Sequence, residues 1–511
     1  MKSEAQLDER ISPAPLLRGL ARNPASPIDV LLRLVAEYPE QVRDGLRRRR
    51  DIPPPLRDAM LRHPSPRIRG ALATHVRLDP ETRAVLLADP DYLVRMWAFG
   101  RPGQRPVPDA VLVRLLAELD DPPPGTLFNR VELLSELFHA MRYDRHLIGL
   151  AAAHPRPGVR GYAAGFLDVL DEPARRALLD DEAPEVRQAV AAHVAYRQRV
   201  MKPADLPDQQ GHAYWQVLQR PLSRALVDKV LAGGDVAALG VLGGNPTTPP
   251  DVVDTLLRHA DPAVRGGLAG RVDLTDDQLA RLAADPAVEV RTAVSVHPGL
   301  AEWQRAGIDI DVTTVPGDGH FGHADVPCSG RYPYGSLPEL VDSIRWARSV
   351  NPLLRRRAAR DPRLPAELVA LLADDPDLGV RVLLAQHHPA APPALLLRCY
   401  LEYRSCDRCG RDQLSELPQF PTEGLARFAD DPDPAVRRLV ALDPYADPTL
   451  VDRLSADPDA VVRQAMASCP RLPVPRIVVL LNDPELAEDA AANPALPVGR
   501  MRRILGGDTV D

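Results

Sequence analysis

The sequence predicts an all-α fold. More specifically, it predicts an α-solenoid, a right-handed superhelix of short two-helix repeats of about 26 residues with one inserted irregular loop. Three observations carry this prediction: an arginine that recurs mostly every 26 residues, an Asp-Pro that stands six residues before it, and apolar residues at helical spacing. A period of this length is typical of stacked arrays.

The arginine register runs through most of the 511 residues. It is kept by Arg43, Arg69, Arg95, Arg160, Arg187, Arg265, Arg291, Arg355, Arg381, Arg411, Arg437 and Arg463. Three periods separate Arg187 from Arg265, and within that gap "GGDVAALGVLGGNP" has Leu239 at the arginine position while its Asn-Pro keeps the register. We therefore expect degenerate repeats to continue across the gap.

An acidic residue precedes the arginine by six positions and is often followed by proline. The residues at this position are Asp89, Asp181, Asp285, Asp375, Asp431 and Asp457, with the variants His63, His154 and His259. Aspartate accepts hydrogen bonds from the free amides of a first helical turn, and proline there loses no donor that the helix would use. We therefore predict that a helix begins at this Asp-Pro.

Two apolar stripes per period predict two helices. Val436, Leu439 and Val440 lie at helical spacing after the helix start, and a second stripe follows in "LPAELVALLADD". Helices this short are marginal alone, so each unit must bury its stripe against its neighbours. The array then has a continuous core and a long exposed ridge.

The pattern "NPxLPxxLxxLAxDPxxxVRxxVAxxP" resembles the leucine-rich repeat variant family and, more loosely, HEAT repeats, with matches such as "RDPRLPAELVALLADDPDLGVRVLLA" over most of residues 15 to 506. In HEAT-like proteins the equivalent acidic and basic positions form a ladder between adjacent repeats. The resemblance therefore assigns a structural role to Asp375, Arg381, Asp431, Arg437, Asp457 and Arg463. A founding member of the variant family carries an N-terminal iron–sulfur cluster, but no cysteine precedes Cys328 here, so that cluster is not carried over.

The repeats and their interruptions divide the chain. We predict an N-terminal tail (1–14), N-terminal repeats (15–100), an enlarged helical insertion (101–159), central repeats (160–302), an irregular inserted loop (303–337) and C-terminal repeats (338–508). Within the loop, "IDIDV" alternates as a strand does, which predicts a short strand near residues 308 to 315. Because insertions in solenoids map to loops on one face, these departures are where particular functions would reside.

The inserted loop contains two motifs that point weakly to ligands. Gly317, Gly319 and Gly322 form a literal GxGxxG, but no helical pattern follows it, which argues against dinucleotide binding. His320, His323 and Cys328 are metal-ligating types, yet the loop holds no second pair of ligands. Exposed loop residues are the alternative interpretation of both motifs.

Three cysteines in "CYLEYRSCDRCGRD" suggest a zinc site. The CxxCG turn allows the Cys406 and Cys409 sulfurs to point to one ion, and Cys399 could reach the same point from the preceding helix end. The fourth ligand is left open between Cys328, His323 and water. The alternatives are three unrelated thiols, or a redox-sensitive pair at Cys406 and Cys409.

Composition and charge restrict the classes of function that this protein can have. A net charge of -7 and only 4% aromatic residues argue against nucleic acid, although two stretches around Arg48 and Arg356 are locally basic. No nucleophile with its base and no phosphate-binding loop is visible, so we do not expect an enzyme. No apolar run reaches membrane-spanning length, and the odd cysteine number indicates reduced thiols or a metal site. We therefore expect a cytoplasmic, non-catalytic scaffold that binds a protein partner through its extended surface, without membrane contact. The alternatives are a nucleic-acid-binding HEAT-like protein and a metal- or thiol-containing redox sensor.

Overall fold

The structure is a computed structural model, and it describes residues 13–75, 78–99, 108–117, 120, 145–312, 339–402 and 414–506. These residues form α-helices and short 3₁₀ turns, and they contain no strand. Backbone pairing of the sheet type is limited, among them, to an isolated bridge between Met201 and Leu222. The predicted all-α class is confirmed for this part of the chain.

The chain divides into two compact units. Unit 1 consists of Met1–Asp180 and Thr422–Asp511, and unit 2 consists of Asp181–Pro421. In unit 1 the described α-helices are α1 (Pro13–Arg22), α2 (Ile28–Glu37), α3 (Pro39–Arg47), α4 (Pro54–Leu61), α5 (Pro66–Ala73), α6 (Pro80–Leu86), α7 (Tyr92–Phe99), α8 (Asp109–Leu116), α9 (Arg145–Ala152), α10 (Pro157–Ala163) and α11 (Glu172–Leu179).

The described helices of unit 2 follow in the chain. They are α12 (Pro184–Gln198), α13 (His212–Leu218), α14 (Arg224–Gly233), α15 (Val236–Gly244), α16 (Pro250–Leu256), α17 (Pro262–Gly267), α18 (Asp276–Ala283), α19 (Val288–Val294), α20 (Glu302–Ala306), α21 (Leu340–Ala347), α22 (Pro352–Ala359), α23 (Ala366–Ala373), α24 (Leu378–His387) and α25 (Pro393–Glu402). The chain then returns to unit 1 with α26 (Pro434–Arg437), α27 (Pro448–Leu454), α28 (Ala460–Ala467), α29 (Val474–Leu480), α30 (Ala487–Ala491) and α31 (Val498–Ile504).

Helices one repeat apart pack side by side. In unit 1, α1 packs on α3, α3 on α5 and α5 on α7, while α2 packs on α4. The α1–α3 approach is close enough to require glycine, because a Cβ on Gly45 would lie 2.4 Å from the Arg18 carbonyl oxygen. Leu20, Leu46 and Leu72 are fully buried in this stack. In this stack, helices one 26-residue sequence period apart bury apolar residues against each other.

The same packing recurs in unit 2. Helix α15 packs on α17 and α17 on α19, and the core between them holds Leu239, Leu242, Val264, Leu268 and Val290. Leu239, the residue in the degenerate arginine position, is therefore a core residue.

The helices of the arginine series begin two residues later than predicted. Asp431 and Asp457 precede the turn, whereas Asp433 and Asp459 are the N-caps and accept from the amides of Ala435 and Val461. The Asp431 carboxylate instead accepts the Asp433 amide, 2.9 Å away. At 430–434, "DDPDP" contains two Asp-Pro pairs and the second one opens the helix, whereas at 457–460 the helix is opened by Asp459, which is followed by alanine.

The predicted strand near residues 308 to 315 is wrong where the structure describes it, up to Val312. Ile308 to Asp311 have no regular structure. The segment runs beside α19, where Arg291 donates to the Asp309 carbonyl and the Thr292 hydroxyl accepts the Asp311 amide. A strand needs a partner strand for its amides and carbonyls, and here side chains of a helix take that role.

The two enlarged regions are described in part. The predicted insertion at 101–159 contains α8 and α9, and its residues 121–144 lie outside the described residues. The same holds for residues 313–338 of the inserted loop and for 403–413. Among the helices that the structure does describe, none has the length and apolar character needed to cross a membrane.

Candidate functional site

In four of the repeats that the structure describes, the recurring arginine bridges two repeats in the same way. Its Nη1 donates to the backbone carbonyls five and six residues earlier, while its Nε and Nη2 donate to an aspartate 20 residues later. The four bidentate pairs are Arg69–Asp89, Arg265–Asp285, Arg355–Asp375 and Arg437–Asp457. Their N···O distances run from 2.6 to 3.1 Å. The planar guanidinium suits this fork geometry, which a lysine could not reproduce.

Two further arginines of the register bind glutamates. Arg381 donates to the carbonyl of Asp375 and forms an ion pair with Glu402. Arg463 donates to the Asp457 carbonyl at 3.0 Å and to Glu485 at 2.9 Å. The contact to the next repeat is therefore kept when glutamate replaces aspartate.

The structure brings some of the predicted ladder residues together and not others. Arg437 and Asp457 pair directly, and Asp375 pairs with Arg355 of the preceding repeat. Asp431 offers its backbone carbonyl to Arg437, at 2.8 Å, while its carboxylate accepts an amide of its own turn. The register arginine that precedes Asp431 is Arg411, outside the described residues.

Charge pairing moves the pKa values of these groups. Hydrogen bonds from Arg437 lower the pKa of Asp457, and the same bonds raise the pKa of Arg437. For Asp285, burial acts to raise the pKa, but hydrogen bonds from Arg265 and from the Ala287 amide bring it below the ordinary value. Both aspartates are therefore charged at neutral pH and contribute attraction rather than proton transfer.

A second ladder, which the sequence analysis missed, crosses the core. In unit 2, the Asn245 side-chain amide donates 2.7 Å bonds to the carbonyls of Leu218 and Arg220. Arg271 donates to the carbonyls of Gly243 and Asn245. The His297 Nε2 lies 2.6 Å from the Arg271 carbonyl. Each side chain thus reaches back to carbonyls of the previous repeat, satisfying buried acceptors.

The same second ladder exists in unit 1. Arg49 donates to the carbonyls of Ala21 and Asn23, and the His75 Nε2 lies 2.8 Å from the Arg49 carbonyl. Asn493 donates to the carbonyls of Ala467 and Cys469. The signal in the sequence was a buried polar residue at a period of 26, but it changes between Asn, Arg and His. We call these residues the carbonyl ladder and the Arg–Asp pairs the charge ladder.

One cavity in unit 2 combines apolar and cationic walls. It measures about 440 Å³ and is lined by Val296, Pro298, Leu300, Ala301, Glu302, Arg305, Arg345, Trp346, Leu354 and Arg357. Trp303, in the same helix as Glu302, is 78% exposed, and Val341, in the same helix as Trp346, is 72% exposed. An amphipathic ligand with negative charge suits such walls.

Some charged side chains that line the cavity are hydrogen-bonded inside the protein, and others are exposed to solvent. Glu302 accepts from Arg305 at 3.1 Å and from the Ser349 hydroxyl at 2.9 Å, so its charge is used inside the protein. The Arg305 guanidinium also donates to the Ser295 and His297 carbonyls. The Arg345 and Arg357 side chains are exposed, and the Arg357 Cζ lies 6.0 Å from the Trp346 ring centroid. Arg345 also donates to the Asp342 carboxylate at 2.7 Å, so part of its charge is balanced, and both arginines contribute positive charge to the surface.

The predicted zinc ligands are described only in part. Cys399 is fully buried, and burial raises the pKa of its thiol to about 12. Cys406, Cys409, Cys328 and His323 lie outside the described residues. No group of three metal-ligating side chains occurs among the residues that the structure describes. His388, close in sequence, bonds to the Leu364 carbonyl as part of the carbonyl ladder.

The chain was compared with known proteins. Its sequence matches no protein-family model, and no curated protein matches it either.

Proposed function

We propose that this protein is a non-catalytic α-solenoid that binds a protein partner in the cytoplasm through its extended surface. The proposal includes the right-handed superhelix and the resemblance to leucine-rich repeat variant and HEAT-like arrays. Support comes from the two ladders, because contacts that recur at one repeat spacing are what a stacked array requires. Buried free thiols such as Cys399 and Cys469 are in keeping with a reducing compartment.

The repeated charges support a non-catalytic function. Acidic and basic residues of the charge ladder neutralise each other in pairs, at side-chain exposures of 5 to 15%. Such residues have neither the exposure nor the free valences that acid–base chemistry needs. A partner would therefore bind to surface residues outside the two ladders.

The single observation that carries the proposal is the cavity in unit 2. The half-buried Trp346 lines this cavity together with the exposed Arg345 and Arg357, and Trp303 and Val341 are exposed residues of the two helices that carry Glu302 and Trp346. Aromatic and arginine side chains are the residues that most often dominate protein–protein binding energy. A partner segment with acidic residues beside apolar ones is complementary to this surface.

The locally basic stretches give less support to nucleic-acid binding than their sequence suggests. Arg49 is buried in the carbonyl ladder, and Arg69 pairs with Asp89. In the other stretch, Arg355 and Arg356 pair with Asp375 and Asp377. These four arginines are engaged inside the protein and do not replace counterions on a phosphate backbone, whereas Arg47, Arg48, Arg50 and Arg357 in the same stretches are exposed.

A redox function receives little support from the described thiols. Burial raises the pKa of Cys399 to about 12 and also raises the pKa of Cys469. Reactive cysteines have lowered pKa values, because the thiolate is the nucleophile. The pair Cys406 and Cys409 keeps this alternative open for testing by metal and thiol analysis.

Affinity capture with matched variants tests the proposal. The tagged full-length protein would be captured from its native cells in three forms: wild type, Arg345→Glu with Arg357→Glu, and the control Arg176→Glu, whose side chain is 74% exposed in unit 1. We expect one protein to be recovered with wild type and control, and at least about tenfold less of it with the double variant.

Two outcomes would contradict the proposal. Recovery of nucleic acid that is removed by nuclease treatment and by raised salt would favour the nucleic-acid alternative. Equal recovery of every protein with all three forms would remove the cavity surface as the partner site.

A further inference from the structure

The first helix packs on the last repeats of the chain within unit 1. Helix α1 contacts α30 and α31. The Asn23 side-chain amide donates to the carbonyl of Ala491 at 2.9 Å and to that of Asn493 at 2.6 Å. Both ends of this contact are buried, since Asn23 and Asn493 have no exposed surface.

This contact reproduces the interface between consecutive repeats. Asn23 reaches the carbonyls of Ala491 and Asn493 as Arg49 reaches those of Ala21 and Asn23, so the carbonyl ladder passes from the last repeat to the first. The helix approach is also the same. A Cβ on Gly19 would lie 2.2 Å from the Glu488 carbonyl oxygen, as one on Gly45 would lie 2.4 Å from that of Arg18.

Charges on the two ends are complementary. Arg18 pairs with Glu488 at 2.8 Å, and Arg22 pairs with Asp489 at 2.6 Å. These side chains are 20 to 34% exposed, so the pairs lie at the edge of the interface. The first helix is basic and α30 is acidic, which makes a head-to-tail contact favourable and a tail-to-tail contact repulsive.

No peptide bond joins these two repeats directly. If they separate, α1 still packs on α3 and α30 still packs on α28, so each end keeps one repeat neighbour. In repeat arrays stability is approximately a sum over neighbouring units, and losing one interface leaves the others in place. The end-to-end contact can therefore open while both ends remain folded.

We propose that α30 and its flanking turns are a docking surface for the first repeat of a second copy of this chain. Within one chain α1 occupies this surface. When the chain's own first repeat is displaced, the surface takes the first repeat of a second copy, head to tail. Exchange of an identical element between protomers is a low-cost route to assembly.

Charge reversal on full-length protein tests this proposal. Variant A carries Arg18→Glu with Arg22→Glu, and variant B carries Glu488→Arg with Asp489→Arg. In each variant like charges face each other within one chain, but the first repeat of A is complementary to the last repeat of B. A third variant combines all four changes, and Arg67→Glu, in an exposed pair with Glu40, serves as the control for A.

Light scattering and hydrogen exchange are the measurements. We expect A and B alone to have the mass of one chain, with at least about tenfold faster amide exchange in α1 and α30. Mixing A with B should give a species of twice that mass and restore protection in both helices. The four-change variant should have single-chain mass and wild-type protection.

Three results would contradict the proposal. Single-chain mass in the A plus B mixture, with native helical content in both variants, would overturn the proposal. So would association of B with the Arg67→Glu control to the same extent as with A. If A or B fails to fold, the four-change variant decides, because unprotected α1 and α30 in that variant would show that charge complementarity does not direct the contact.

Discussion

The Arg265 guanidinium donates two hydrogen bonds, of 2.7 and 2.8 Å, to the Asp285 carboxylate, 20 residues further along the chain. The same relationship joins Arg437 to Asp457 in the other unit. In both pairs the arginine also donates to backbone carbonyls of its own turn, so one side chain fixes a turn and the next repeat together. The charge ladder is therefore a contact between repeats and not only a surface ion pair.

Loss of the Arg437 side chain should destabilise the protein more than loss of an exposed arginine. Arg437→Ala leaves the Asp457 carboxylate, which is 5% exposed, without its bidentate partner. We expect a loss of about 1 to 3 kcal/mol in the free energy of unfolding of unit 1. Arg453→Ala is the control, because Arg453 and its partner Asp430 are 57% and 82% exposed. Equal denaturant midpoints for the two variants would show that the Arg437–Asp457 pair stabilises the protein no more than an exposed ion pair does.

Acid should weaken the charge ladder. The pKa values of Asp285 and Asp457 are lowered in the folded protein, so their contribution is present above the ordinary aspartate pKa of about 3.9 and is lost as pH falls through the lowered values. A variant with Asp285→Asn and Asp457→Asn should be less stable than wild type at pH 7, and the difference should shrink steadily below about pH 4. A difference that stays constant across this range would contradict the assigned pairing.

The carbonyl ladder should accept different donors but not an apolar residue. Asn245→Leu leaves the carbonyls of Leu218 and Arg220 without their donor, at a cost of about 1 to 3 kcal/mol. Asn245→His should retain more stability, because His75 and His297 occupy the same ladder position in other repeats. Thermal melting of the two variants beside wild type checks this, and a leucine variant as stable as the histidine one would refute it.

Much of the helical structure could be predicted from local sequence pattern. The spacing of Val436, Leu439 and Val440 predicted one helix, and the structure has there a short α-helix, Pro434–Arg437, followed by a 3₁₀ helix, Arg438–Leu442. The helix start was misplaced by two residues, because Asp431 and Asp433 are both followed by proline and either could cap a helix. Only the fold shows that the first carboxylate accepts an amide of the turn.

Contacts between residues distant in sequence could not be predicted, for a different reason. The carbonyl ladder uses Asn245, Arg271 and His297, which share only a hydrogen-bond donor, so residue identity conceals the period. The contact of Asn23 with Asn493 joins the two ends of the chain, and no local pattern encodes such a separation. The cavity near Trp346 likewise arises from segments that are distant in sequence.

The zinc hypothesis remains a prediction about Cys399, Cys406 and Cys409. Zinc binds thiolates. A bound ion would therefore lower the pKa of the Cys399 thiol, which burial raises to about 12. Protein purified without chelator should contain about one zinc per chain, and Cys406→Ser with Cys409→Ser should remove it. Cys469→Ser, at a buried cysteine elsewhere, should leave the zinc content unchanged. Zinc that survives the double change, or is absent from wild type, would reduce these residues to ordinary thiols.

The central claim is that the arginine of one repeat is energetically coupled to the aspartate of the next, and a double-mutant cycle measures that coupling directly. The cycle would combine Arg265→Ala with Asp285→Ala and use denaturant unfolding as the readout. We expect an interaction free energy of about 1 to 3 kcal/mol, because the pair is largely buried and bidentate. A value within about 0.3 kcal/mol of zero, as for additive and independent sites, would contradict the claim.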